Sequence, residues 1–281
     1  MSNLTVRRPA IDVGTLEMPP LWLGGDAFRT HLFNALSMMF PVGEQYFIDA
    51  ARAGLPLIGD HARKETVQED VRRFIGQEAT HSALHRTFNA RLEAQGLRNR
   101  VQPVIAWRVR VTDWMAPLNK LAVAMAYEHF TATFGDAVLA RAGWLDGASE
   151  PMRVLWTWHA VEESEHRAVV FDLYRAAGGG YARRVAWFLY VSLLFAIDTT
   201  VQTLSNLHRS GTLLRTATWR QAGRFLFGRR GLVAMSARAW FAYFQPGFSP
   251  WDHADAEAPR AWLEENAAWF AARSGGMMTP G

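Results

Sequence analysis

The sequence predicts an all-α protein, a four-helix bundle extended by further helices at its C-terminal end. Three observations carry that reading. Apolar residues recur at helical spacing through long runs, while strand-like alternation closed by tight turns is nearly absent. Glycine, proline and capping residues punctuate the chain at intervals that suit helices. Each of the four longest runs carries an acidic residue among apolar neighbours.

Taken in order, residues 1–25 are interrupted by Pro and Gly and are expected to run extended over the surface. A first helix is expected after Asp26, reaching about Arg52, with Pro41 as a kink and Gly54 and Pro56 as its stop. A second spans about Arg63 to Gln95 and ends at Gly96, and a third opens near Asp113 and closes at Gly143. The fourth starts at Ser149 as N-cap, carries Pro151 in its first turn, and runs to Ala177 before three consecutive glycines. Residues 26–178 thus form the bundle, and its spacing suits antiparallel neighbours. Residues 181–273 supply the C-terminal helices, two or three before Pro246 with breaks at Gly211 and Gly228, then a short one from Pro259. Residues 274–281 are a tail.

Composition narrows the chemistry. With 281 residues and no cysteine, disulfides, Cys-ligated zinc, iron–sulfur clusters and a Cys nucleophile are excluded. Any metal site must be built from His, Asp and Glu. The net charge is +4, and the arginines occur as scattered pairs, so no nucleic-acid partner is expected. No signal peptide is read, since Arg7-Arg8 is followed by Pro9 and Asp12, and the expected location is the cytoplasm. The apolar stretch Val185 to Ile197 is about 20 Å of helix, short of a bilayer's core, and is read as a buried bundle helix. Contact with a membrane surface stays open for it. Of the tryptophans, Trp107, Trp114, Trp144, Trp156, Trp158, Trp187, Trp219 and Trp240 are assigned to the core.

Two Glu-x-x-His pairs, Glu78/His81 and Glu163/His166, carry the chemical signal. Residues three apart share a helix face, so each pair can reach one ion. The other two long helices contribute Glu44 and Glu128 from apolar runs. An ionised carboxylate buried without a partner is costly, so each of these acids wants a cation. The order is Glu, Glu-x-x-His, Glu, Glu-x-x-His, one set per helix, which is the ligand pattern of carboxylate-bridged dinuclear metal sites in helical bundles. Oxygen and imidazole donors suit iron or manganese. His159 shares the face of Glu163 and His166 and is a further ligand candidate. His85, Tyr46, Tyr127 and Glu162 are candidates for supporting the ligands, with Glu162 the rival of Glu163. His129 points about 100° away from Glu128 on an ideal helix. Ser164 beside His166 does not face it, so a serine hydrolase is rejected.

These residues resemble the ferritin-like superfamily of dinuclear carboxylate proteins. With His159, the fourth helix reads His-x-x-x-Glu-x-x-His, similar to the di-iron arylamine N-oxygenases, in which a seventh ligand joins the site. Over roughly residues 20–270 the chain also resembles a bacterial family labelled "predicted metal-dependent hydrolase". That likeness rests on Pro41-Val-Gly-Glu44, Phe74-Ile-Gly-Gln-Glu-Ala-Thr-His81, Tyr127-Glu-His-Phe130 and Trp158-His-Ala-Val-Glu-Glu-Ser-Glu-His166. The resemblance implies two metal ions, both iron or one manganese and one iron. Glu78 with Glu163 or Glu128 would bridge them, and His81, His159 and His166 would be terminal ligands.

The expected function is a dinuclear-metal oxygenase or oxidase. It would act on an apolar or aromatic small molecule with an external electron donor. The first rival is a metal-dependent hydrolase using a metal-bound hydroxide. The second is a metal-stabilised helical protein that docks on a membrane or a partner through residues 181–245. A homodimer is compatible with bundles of this type.

Overall fold

The structure is a computed structural model that describes residues 4–60, 62–140, 143–253 and 257–270. The expected tail, 274–281, lies outside the described residues. Ten α-helices and three short 3-10 turns make up the regular structure, and the described residues contain no strand.

Helix α1 (Ala27–Gly54) begins where the Asp26 side chain accepts the backbone N–H of Arg29, and Pro41 is carried inside it. Helix α2 covers Lys64–Ala94, α4 covers Pro117–Leu139 and α5 covers Glu150–His166. Two departures from the sequence reading stand out. Residues Gln102–Val111 form a helix of their own, α3, which the sequence reading left unassigned. The fourth helix is not continuous: α5 ends at His166, Arg167 and Ala168 interrupt it, and α6 (Val169–Ala176) follows. No glycine or proline marks that break. Ser149 stands at the start of α5 but makes no side-chain cap.

Two apolar cores reveal the path of the chain. One gathers Phe33 and Met38 of α1, Phe88 and Leu92 of α2, Val138 of α4 and Trp156 of α5. The other gathers Phe47 of α1, Phe74 of α2, Leu121 and Met125 of α4 and Leu173 of α6. So α1 runs from the first core to the second, α2 returns, α4 again runs from second to first, and α5 returns. The α1–α2 and α4–α5 neighbours are therefore antiparallel pairs. Helix α3 lies in the crossover that carries the chain back between the pairs. Between the two cores, each long helix contributes one polar stretch at the same level.

Residues 4–25 contain no helix, yet they are more than a surface cover. Leu4, Val13, Met18, Trp22 and Leu23 are buried, and the Trp22 indole donates to Asn34 at 2.9 Å. The C-terminal part gives three helices broken near Gly211 and Gly228, as expected: α7 (Tyr181–Arg209), α8 (Thr216–Phe227) and α9 (Leu232–Ala242). Helix α7 packs on α1 and α4, α8 on α1, and α9 on α4, so they layer one side of the bundle. Helix α10 (Glu257–Glu265) and a 3-10 turn (Ala267–Trp269) close the described chain.

Two expectations about burial fail. The run Val185 to Ile197 is not a buried bundle helix: Leu189, Tyr190, Leu193 and Ile197 are exposed, because α7 touches the bundle along one face only. Trp144, Trp156 and Trp158 are core, but Trp107, Trp114 and Trp219 face solvent.

Candidate metal centre

The polar layer between the two cores contains Glu44, Glu78, His81, Glu128, His159, Glu163 and His166, all buried. The fold brings every ligand candidate of the sequence to this level. Glu78, His81, Glu163 and His166 can aim one donor atom each within 4.8 Å of one another. Glu44, His85 and His159 form a second such group. Both are groups of the kind that hold metal ions, and together they are compatible with two.

The polar atoms left without hydrogen-bond partners show what the layer is built for. Both oxygens of Glu44, Glu78 and Glu128 lack one, as do Glu163 Oε2, His81 Nδ1, His159 Nε2 and His166 Nδ1. Orphans at this density in a protein interior call for an explanation, and an ion is one.

The outer nitrogen of each imidazole fixes the state of the inner one. His81 Nε2 lies 3.0 Å from Glu162 Oε2, a pure acceptor, so it carries the proton and leaves a lone pair on Nδ1. His166 Nε2 lies 3.0 Å from the Gln77 carbonyl oxygen. That amide is oriented because its nitrogen donates to the Thr5 carbonyl at 3.0 Å and to Glu165 at 2.9 Å. So His166 also turns a lone pair inward. His159 is set by a longer relay. The Asn89 amide nitrogen donates to the Ser37 carbonyl, and the Ser37 hydroxyl donates to the Asn89 oxygen, both at 2.8 Å. With its only hydrogen used, Ser37 Oγ must accept from His85 Nδ1 at 2.8 Å. His85 Nε2 then accepts from His159 Nδ1 at 2.8 Å, and His159 Nε2 faces inward unprotonated.

With neutral imidazoles the inner contacts are pairs of acceptors, and despite burial the carboxylates facing them, Glu162 and Glu163 for His81 and Glu78 for His166, raise both above the ordinary imidazole value. His166 Nδ1 is 2.7 Å from Glu78 Oε1, and His159 Nε2 is 2.9 Å from Glu163 Oε1. Two lone pairs at such distances repel unless a proton or a cation lies between them. The donor set fits a metal: carboxylate oxygens and neutral imidazoles, each imidazole held from behind by an acceptor. Burial pushes the Glu44 and Glu128 carboxyls well above the usual carboxylate range, and Glu78 adds to the shift in both. Burial holds His159 down at about 4. Burial also holds His85 well below the ordinary imidazole value.

The support candidates divide. Glu162 serves His81 from outside and does not enter the carboxylate cluster, which separates it from Glu163. Its other oxygen accepts the Arg7 backbone N–H at 3.2 Å. His85 stands behind His159 while also belonging to the second donor group. Tyr46 and Tyr127 instead line a neighbouring cavity. His129 points away, with its Nε2 3.0 Å from the Ala239 carbonyl, and the Ser164 hydroxyl donates within its own helix to Val161. Ser37, Gln77, Asn89 and Arg7 escaped the sequence reading. Only Gln77, adjacent to Glu78, had a positional cue.

If the relay sets His159, Ser37→Ala should weaken metal binding about 10- to 100-fold with helical content intact. A chelator-competition titration measures this, and an unchanged affinity would remove the relay's role.

That cavity, of about 140 Å³, lies between α1, α3, α4 and α7, with Glu44, Phe47, Tyr127 and Phe195 among its walls. A smaller one of about 30 Å³ reaches His159 and Glu163 and shares Phe40, Thr131 and Phe195 with it. The walls of the larger cavity are mostly apolar apart from Glu44, Thr112, Thr131, three tyrosines and the Arg108–Asp198 pair, whose two bonds measure 2.5 and 3.0 Å.

A family model described as "predicted metal-dependent hydrolase" matches residues 5–254. The chain belongs to that family. The match covers the whole metal-centre layer together with helices α1 to α9. No curated protein and no solved structure matches the chain. The family's description sides with the hydrolytic alternative and lends no support to the oxidoreductase expectation.

Proposed function

We propose that this member of the metal-dependent hydrolase family binds two metal ions between its cores and hydrolyses an apolar small molecule. The supporting observation is the inward-facing set of unpartnered carboxylate oxygens and lone-pair imidazoles beside an apolar cavity. The two antiparallel helix pairs joined by a crossover support a ferritin-like reading of the bundle. The proposed ligands are Glu44, Glu78, His81, Glu128, His159, Glu163 and His166. Four carboxylates would balance two divalent cations.

Bound metals would supply Lewis acidity toward a substrate carbonyl or phosphoryl oxygen and make water more acidic. The chain's own groups do the rest. Glu162, Gln77 and the Ser37–His85 relay hold the imidazoles in their ligating tautomers. Glu44 borders the larger cavity and sets its carboxylate beside a substrate seated there. Phe40, Phe47 and Phe195 keep bulk water from it. An ester or amide with an apolar body fits this lining better than a charged substrate does.

Oxygen activation is the second reading, favoured by a donor set of only oxygen and nitrogen that suits iron or manganese. One experiment separates the two. Purified protein is analysed for metal, then assayed on apolar esters and amides with and without oxygen. Oxygen-independent turnover that needs the metal is expected. Turnover that consumes oxygen and reductant selects the second reading. Absence of any bound metal after anaerobic reconstitution defeats both.

Loading is also expected to depend on pH. The raised carboxyls of Glu44 and Glu128 keep their protons to higher pH than ordinary carboxylates, so protons compete with metal. Affinity should rise with pH and fall on acidification. Calorimetric titrations in buffers of different ionisation enthalpy should show proton release, and zero release would contradict the ligand assignment.

A further inference from the structure

Among the described residues, α7 is the one helix long and apolar enough to cross a bilayer by length and composition, yet polar groups in its C-terminal half tie it to the bundle. Asp198 pairs with Arg108, Gln202 accepts the Arg100 backbone N–H at 2.8 Å, and Asn206 donates to the His31 carbonyl at 3.3 Å. A helix anchored to the bundle in this way lies along its surface.

Its outer face is the opposite. Leu189, Leu193, Ile197 and Val201 recur every fourth residue and are exposed, Leu193 by 61%. Beside them α3 exposes Val104, Trp107 and Val111, and the turn that follows exposes Trp114 by 84%. Scattered exposed apolar residues are ordinary, but a stripe this continuous marks an interaction surface.

Charge says what the surface meets. Residues 181–241 hold nine arginines and one acid, Asp198, which is buried. Eight of those arginines are exposed, all but Arg184. Since α7, α8 and α9 all layer the α1–α4 side of the bundle, apolar and cationic groups lie on the same side. Apolar residues flanked by arginines, with Asp113 beside Trp114 paired to Lys120 at 2.6 Å, complement an anionic bilayer surface. The apolar cavity opens on the same side: Tyr190 both lines it and is 48% exposed.

We propose that the α3–α7 face docks peripherally on an anionic lipid bilayer, with the cavity mouth at Tyr190 turned toward the lipid. Nothing in the docking depends on the chemistry of the metal centre. If the hydrolase reading also holds, the substrate is a lipophilic molecule that reaches the cavity from the membrane.

The test is flotation of the full chain with vesicles of phosphatidylglycerol and phosphatidylcholine in equal parts, against phosphatidylcholine alone. Binding to the anionic vesicles alone, weakened by salt, is expected. The double variant Leu193→Glu/Ile197→Glu should lose it, and Arg229→Gln/Arg230→Gln should weaken it by about fivefold per arginine. Circular dichroism and metal content check that the variants fold. Glu128→Gln should float as wild type does, which separates docking from the metal centre. Failure of the folded wild type to float overturns the proposal, as does equal flotation of the Leu193/Ile197 variant. A dimer that this variant dissociates, with no flotation, would assign the face to a second copy. Nucleic acid bound by a chain that does not float would assign it to that polymer instead.

Discussion

Glu128→Gln is expected to move stability in opposite directions in the two forms of the protein. In the metal-free form Glu128 is buried with both oxygens unpartnered, and Glu78 and Glu163 add like charge around it. A neutral amide of the same shape removes that repulsion, so the metal-free variant should be more stable by about 1–3 kcal/mol. In the loaded form the same change removes a ligand. Tight binding contributes RT ln(1 + [L]/Kd), about 4 kcal/mol at a thousandfold excess over Kd, and much of that should vanish. Thermal melts of wild type and variant, each with and without metal, give four numbers. Their signature is a crossing: the variant melts higher when empty and lower when loaded. A purely structural glutamate would shift both melts in the same direction. Equal melting of loaded and empty wild type would show that this layer binds no metal under those conditions.

The legibility of this site in the sequence follows from what periodicity can encode. Glu78 with His81 and Glu163 with His166 are local pairs, and helical spacing alone aligns them. Glu44 and Glu128 are visible because a charge inside an apolar run is costly unless something offsets it. The supporting groups are another matter. Ser37, Asn89 and His85 meet only because α1 and α2 run antiparallel, so the relay behind His159 has no signature in either segment. Arg7 reaches Glu165 at 2.9 Å from a stretch that looks like a surface strap. The interruption after His166 lacks any Gly or Pro cue. For α3, the exposed Val104, Trp107 and Val111 and a short length left no amphipathic pattern to read. The misjudged burial of α7 has a similar origin. Hydrophobicity reports what a helix can bury, and here the inner face takes only Phe188 and Val191 of the run, followed by Asp198, Gln202 and Asn206, so the other apolar residues stay outside.

The same contrast clarifies why the site lies where it does. A layer with this many buried ionisable groups costs stability, and the chain confines it between two apolar cores. Glu44, Glu78, His81, Glu128 and His159 sit within helices whose backbone hydrogen bonds hold them, while Glu163 and His166 form the last turn of α5. The aromatic rings pack edge-on against the imidazoles, Phe74 on His166 at 4.9 Å and Trp158 on His81 at 4.8 Å. The apolar cores thus orient these side chains as well as stabilise the fold, and the larger cavity gives an approach from the side of α3 and α7.

Gly135→Ala should test how closely that geometry depends on helix spacing. Gly135 lies in α4, facing α5, and a Cβ there would come within 2.8 Å of the Ala160 carbonyl oxygen and 3.4 Å of its Cα. The obstacle is backbone, which cannot rotate aside as a side chain can, so α4 and α5 must separate. Overpacking of this kind costs about 1–3 kcal/mol, and a backbone obstacle argues for the upper end. Alanine's better helix propensity returns only about 1 kcal/mol, so the sign stays destabilising. The second consequence is chemical. Ala160 lies one residue from His159 and three from Glu163, while Glu128 lies two turns before Gly135 on the opposing helix. Moving the helices apart withdraws Glu128 from His166, whose contact is already 3.9 Å. Metal affinity should therefore fall at least tenfold even though no ligand is changed. Gly223→Ala is the control, since its Cβ meets nothing within 4 Å. It should keep both stability and metal. Chemical denaturation and chelator competition on the two variants decide the matter. If Gly135→Ala binds metal as wild type does, the α4–α5 spacing does not set the site.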